Sequence, residues 1–289
     1  MANIEMFIYQ LMNYPYLQNA LLAAVLVGII CGVIGCFIIL RGMALMGDAI
    51  SHAVLPGVVI AYMVGASFFV GAVITGVLTA LAIGFISQNS RIKEDSAIGI
   101  MFSAMFALGV VMITAMQGTS IDLWHILFGN VLAVSQTDLY ITIGIGSFVL
   151  VAILIFYRPL LLSTFDETMA KATGLPVQWI HYMLMLLLSF VTVASLQTVG
   201  IILVVAMLIT PGSTAYLLTE RFSVMLLLSA VFGVISAVVG LYFSVIYDVS
   251  SGASIVLVAS VIFMIAFFFS PKQGIVMKWL RTPKKESFS

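Results

Sequence analysis

Residues 188–212 read LSFVTVASLQTVGIILVVAMLITPG, and the topology of the chain turns on whether this run belongs to one membrane span or two. Only Gln197 and Thr198 interrupt its apolar character. Helical spans need about 20 apolar residues, and stretches of that kind occur at 19–40, 43–64, 68–88, 97–116, 138–157, 178–196, 198–218, 223–246 and 252–270. The basic residues discriminate between the two readings, because Lys and Arg accumulate in cytoplasmic loops. With nine spans, Arg41, Arg91, Lys93, Arg158, Lys171, Arg221, Lys272, Lys278, Arg281, Lys284 and Lys285 all fall on one side. The opposite loops hold Glu5, Asp122, His125, Asp138 and Asp248, with no Lys or Arg. Fusing 178–218 into one span, which leaves eight, moves Arg221 and the basic tail 271–289 across the membrane and breaks the pattern. Nine spans are therefore expected, with the N-terminus outside and the C-terminus in the cytoplasm.

Composition agrees with that architecture. Of 289 residues, 63% are hydrophobic and 8% charged, against about 25% charged in globular domains, and the mean hydropathy is +1.25. Hydrocarbon cannot satisfy an open backbone, so the expected fold is all-α: one polytopic membrane domain spanning 1–289 and embedded in lipid. Eleven basic residues balance eleven acidic ones, which argues against nucleic acid or another polyanion as partner. The 17 Met and 20 Phe suit lipid-facing and helix-packing surfaces. Cys31 and Cys36 point about 140° apart on one helix, a poor arrangement for a disulfide, and read as packing residues. The first 18 residues include Glu5 and Pro15 and lack a basic start followed by an apolar run, so no cleavable signal is expected. Residues 123–135, LWHILFGNVLAVS, are too few to span and suit an interfacial or re-entrant helix.

Two local features stand out from the spans. In 158–176, RPLLLSTFDETMAKATGLP, Thr164 and Glu167 fit a capping box, Gly174 a C′ position, and Pro176 a stop. A short cytoplasmic helix over about 165–173 follows, either an ordinary surface helix or a docking element. Separately, VLPGVVIAYMV (54–64) and ITPGSTAYLLT (209–219) share Pro-Gly followed by Ala-Tyr, in spans running oppositely. The echo fits either chance recurrence or an inverted repeat of the kind found in transporters.

The charge that fits worst is in RGMALMGDAISHAVLPG (41–57). A helix starting near Gly42 puts His52 about 15 Å in, with Asp48 one turn nearer the cytoplasm on the same face. A charged group at such depth costs at least about 2.5–3.5 kcal/mol, so it faces a cavity, a partner or an ion. Three readings compete: Asp48 and His52 pair with each other, Ser51 or backbone as packing; they relay protons; or they grip a divalent cation. A carboxylate and an imidazole without thiolate suit Mn²⁺, Fe²⁺ or Zn²⁺ rather than Cu(I). Two ligands make an open, exchangeable site, which a symmetric dimer would double. His125, beside Asp122 and Trp124, reads as interfacial, and His181 as an anchor or packing group. No GxSG, paired-Asp or HExxH motif points to an intramembrane enzyme.

GCFIILRGMALMGDAISHAVLPG (35–57), DLWHILFGNVLAV, FDETMAKATGLPV and ILVVAMLITPGSTAYL closely resemble the permease subunits of bacterial ABC importers for manganese, zinc and iron. The resemblance covers essentially the whole chain. Gly47, Ala49, Ile50 and Pro56 match the manganese-type form rather than the zinc-type LMADTLSHVSLAG. Membership implies a plasma-membrane homodimer with two cytoplasmic ATPases and an extracellular metal-delivering lipoprotein, and no permanently bound cofactor. It implies that Asp48 and His52 contact the transported metal. It also implies that 163–176, through Phe165, Asp166, Glu167, Ala170 and Gly174, couples to an ATPase. No Walker motif is present, in keeping with hydrolysis on a separate subunit. A proton-coupled secondary metal transporter is the alternative.

Overall fold

The computed structural model describes residues 2–115 and 131–270. Asp122, Trp124 and His125, most of the expected interfacial helix and the tail 271–289 lie outside them. In chain order the helices are α1 (Ala2–Asn13), α2 (Pro15–Leu40), α3 (Met46–Ala53), α4 (Leu55–Val64), α5 (Phe68–Asn89), α6 (Glu94–Ala115), α7 (Gln136–Ile155), α8 (Tyr157–Phe165), α9 (Glu167–Ala172), α10 (Val177–Val199), α11 (Ile201–Leu218), α12 (Phe222–Tyr247) and α13 (Ser251–Phe269). Counting α3 and α4 together, nine segments among the described residues are long and apolar enough to cross a membrane. These are the nine expected from the sequence, with ends shifted by a few residues.

The run 188–212 does divide, but not at its polar residues. Gln197 and Thr198 remain inside α10, and the break is Gly200, at φ +83. That backbone conformation costs a glycine little and other residues more, so the helix corner needs no polar loop. The helix α1 was not foreseen. It buries Phe7 edge-on against Tyr242 of α12, ring centroids 5.4 Å apart, and leaves Ile4, Tyr9 and Met12 exposed.

Small residues along α2 set the centre of the bundle. A Cβ on Gly28 would lie 2.9 Å from the Gly233 backbone of α12, and Ser229 Oγ donates to the Gly32 carbonyl at 2.8 Å. Close backbone approach and an interhelical hydrogen bond are what hold apolar helices together where lipid removes the hydrophobic drive. Gly35 meets the Leu208 backbone of α11, and Gly57 on α4 meets Gly71 on α5 in the same way.

The link from α2 to α3 fixes where the helix that carries Asp48 begins. Gly42 takes φ +73; its N–H bonds to Ile39 O at 3.1 Å and that of Met43 to Ile38 O at 2.9 Å. This Schellman turn delays the next helix to Met46, later than the sequence suggested. His52 therefore stands six residues into its helix, about 9 Å rather than 15. Further on, Pro56 has no N–H for the His52 carbonyl, and the chain turns at Val54 between α3 and α4. Bonds from Val54 to Ile50 and from Val58 to Val54 carry the ladder across. The second Pro-Gly behaves differently: Pro211 lies inside an unbroken α11.

Candidate metal site and coupling segment

Four residues apart on α3, Asp48 and His52 come together as expected, with Oδ1 and Nε2 3.5 Å apart. That is too long for a good hydrogen bond. Two ligands of one divalent ion, each at about 2.1 Å, stand about 3.0 Å apart at an octahedral angle and about 3.4 Å at a tetrahedral one, so a small side-chain adjustment brings both onto one ion. Ser51 does not join them, because its hydroxyl donates to Gly47 O at 2.8 Å. The side chains of His52 and Asp48 are 25% and 40% exposed, so the pair opens to the surface of this chain. Among the described residues no third His, Cys, Asp or Glu completes a metal cluster.

Packing orients the imidazole. Phe102 and Phe106, one turn apart on α6, meet the His52 ring edge-on, with centroids at 5.3 and 5.5 Å. Nδ1 is buried without a hydrogen-bond partner. Metal-binding histidines usually fix their orientation by donating the other ring N–H to a carboxylate or carbonyl; here two aromatic rings take that place. Nothing in the sequence marked them, since a Phe pair at i and i+4 also describes an ordinary lipid-facing stripe.

The ends of α2, α5, α6, α8 and α10 meet around a second polar cluster, which borders a cavity of about 660 Å³. At its centre, Arg41 donates from Nη2 to Ser163 Oγ at 2.6 Å and from Nε to Thr164 Oγ1 at 3.1 Å. Nη1 lies 3.4 Å from His181 Nδ1. Beyond the ring, Nε2 faces Glu94 Oε1 at 3.7 Å. Burial pulls the pKa of the Arg41 guanidinium below its ordinary value, and the charges of Glu94 and Glu167 oppose that pull. His181, read from sequence as an anchor or packing group, is part of a polar network, and Glu94 is a member that sequence reasoning missed.

The short helix predicted over 165–173 is present as α9, with a different cap. Asp166 Oδ1 accepts from Met169 N at 2.8 Å, while Thr164 bonds back to Leu160 O at 2.7 Å and receives Arg41. Glu167 pairs with Lys171 at 2.7 Å. Gly174 takes the C′ position expected of it, at φ +80, and closes a Schellman motif with Leu175 N on Ala170 O at 3.1 Å. Phe165, Asp166 and Glu167 are exposed, whereas Ala170 is fully buried and seats the helix on the body.

The sequence matches the ABC 3 transport family over residues 13–270. It is 75% identical over its full length to the manganese transport system membrane protein MntC of Halalkalibacterium halodurans, covering 99% of that protein. A protein of the same name from Listeria innocua is 60% identical over 94% of this chain and 96% of its own. Among solved structures, PsaBC from Streptococcus pneumoniae in complex with Fab superposes with a TM-score of 0.83 at 52% identity, covering 93% of this chain and 97% of that one.

Proposed function

The chain belongs to the ABC 3 transport family, and from that premise we propose that it is the permease through which an ATP-driven importer carries Mn²⁺ into the cytoplasm. The observation that carries the reading is the acid–imidazole pair on α3, spaced at 3.5 Å for two ligands of one ion and left open at the chain's surface. The names of its manganese-transporting relatives support the choice of metal, and a ligand set without thiolate accepts it. The metal is cargo, and the chain itself is a transport subunit rather than an enzyme, with no permanently bound cofactor.

Two ligands hold an ion weakly, and a second copy facing the first would supply two Asp and two His. We therefore assign a homodimer, with its partners divided between the two membrane faces. A lipoprotein delivers Mn²⁺ outside, and an ATPase docks on each α9 in the cytoplasm. Exposed Phe165, Asp166 and Glu167 form that contact, with Ala170 and Gly174 keeping the segment's shape. Orientation follows the basic residues: the ends bearing Arg41 and Lys171 face the cytoplasm, where the tail 271–289 also lies. The clustering of these ends around one cavity supports a common side for them.

The test is uptake of Mn²⁺ by cells lacking other importers. Asp48→Ala and His52→Ala should each reduce uptake at least about tenfold, the scale on which even outer-shell partners of a metal affect binding, with expression and ATPase association unchanged. Near-normal uptake in both returns the pair to packing. Competition with Zn²⁺ and Fe²⁺ identifies the preferred metal. Insensitivity of uptake to vanadate would favour a proton-coupled secondary transporter instead.

A further inference from the structure

The Arg41 cluster is a polar network that the metal site does not use. Its guanidinium is half-buried at the C-cap of α2, and the tight turn through Gly42 and Met43 leads straight into α3, which carries Asp48 and His52. Both of its hydroxyl acceptors sit at the last turn of α8, and Thr164 is two residues before the Asp166 that caps α9. Through His181 on α10 the network reaches Glu94, the first residue of α6, the helix that holds Phe102 and Phe106 against His52. One side chain therefore joins the coupling segment to both helices that frame the metal ligands.

The chemistry of the cluster rules out a second metal site and favours a moving part. Guanidinium nitrogens donate and cannot accept, so His181 Nδ1 must offer its lone pair to Arg41. The ring proton then lies on Nε2, toward Glu94, where it blocks metal binding. Contacts on this side are loose: 3.4 Å from Arg41 to His181 and 3.7 Å from His181 to Glu94. Glu94 Oε1 and His181 Nε2 are buried without hydrogen-bond partners. Arg41, Glu94, Glu167 and His181 all line the adjoining cavity of about 660 Å³. An under-satisfied network beside open volume has another arrangement within reach, in which Arg41 leaves the two hydroxyls for a carboxylate of Glu94 or Glu167.

We propose that Arg41 is the tie that transmits movement of the coupling segment to the metal-binding helix, switching between the Ser163/Thr164 hydroxyls and the neighbouring carboxylates during transport. It acts as a positioning residue, and the proposal rests on the importer reading above. The experiment uses the whole transporter in proteoliposomes with metal-loaded binding protein, measuring ⁵⁴Mn²⁺ uptake, ATP hydrolysis and recovery of the complex. Two variants are compared with the unaltered protein. Arg41→Lys keeps the charge and loses the fork, and Ser163→Ala with Thr164→Val removes the acceptors at nearly constant volume. In both, ATP hydrolysis should stay within twofold while uptake falls at least tenfold, so that ATP spent per ion rises by that factor. An unchanged ratio in both variants overturns the proposal. So does a parallel loss of uptake, hydrolysis and complex, which marks a purely structural role. If Arg41→Lys alone fails to assemble, the ratio in the hydroxyl variant decides. Absence of uptake by the unaltered transporter would remove the importer reading itself.

Discussion

If packing orients His52, replacing Phe102 and Phe106 with Leu should weaken the hold on Mn²⁺ without touching a ligand. Each ring meets the imidazole at a T-shaped geometry, 5.3 Å and 68° for Phe102, 5.5 Å and 85° for Phe106. Such contacts contribute about 0.5–1.5 kcal/mol each beyond area burial, and leucine keeps apolar bulk while losing the quadrupole. With Nδ1 unpartnered, no hydrogen bond compensates. One substitution then costs about 1 kcal/mol of orientation, or roughly fivefold in affinity, and two cost about 2 kcal/mol, or roughly thirtyfold. The two Phe rings also stack on each other at 6.1 Å, so the double variant should fall short of strict additivity. The assay is Mn²⁺ binding to the purified permease, paired with thermal unfolding in detergent. A double variant that keeps its stability and binds Mn²⁺ within twofold of the unaltered protein would refute the reasoning.

Two structural predictions are independent of the metal. Gly28→Val forces apart α2 and α12, whose backbones would meet the new Cβ at 2.9 Å, and should cost about 1–3 kcal/mol in thermal unfolding. Gly99→Val, where nothing lies within 4 Å, should cost less, and equal losses would contradict the packing argument. Asp166→Ala removes the cap of α9 at about 1 kcal/mol and should speed hydrogen exchange of the Met169 amide. Thr164→Val should leave that amide protected, and the reverse pattern would restore the Thr164 capping box.

The spans were legible because hydropathy over a fixed length is a local property that the bilayer enforces on each helix separately. Their limits were less so. Gly200 breaks the chain where the sequence pointed to Gln197 and Thr198, since a left-handed glycine ends a helix without any change in polarity. The helix α1 escaped because it is short and mixes Glu5 and Gln10 with its apolar residues. In 164–167, Thr164 and Asp166 are both competent caps, and what separates them is Arg41, 123 positions earlier, which claims the threonine. The Phe102/Phe106 clamp and the approach of Glu94 to His181 are tertiary pairings, and nothing in a single helix announces them.

Among the described residues stand two carboxylate–imidazole pairs of nearly equal separation, 3.5 Å for Asp48 and His52 and 3.7 Å for Glu94 and His181, and distance alone would assign them the same chemistry. Their other neighbours divide them. At His52 the second nitrogen meets no donor, so the proton can rest on buried Nδ1 and leave Nε2 free to face a metal beside Asp48. At His181 the second nitrogen meets a guanidinium, which can only donate, and the proton is driven to the nitrogen facing the acid. A cation already stands there as well, so a divalent ion would be repelled. On the proposed reading the same pair of residue types holds cargo on α3 and links helices at the bundle's end, and what meets the second ring nitrogen makes the difference.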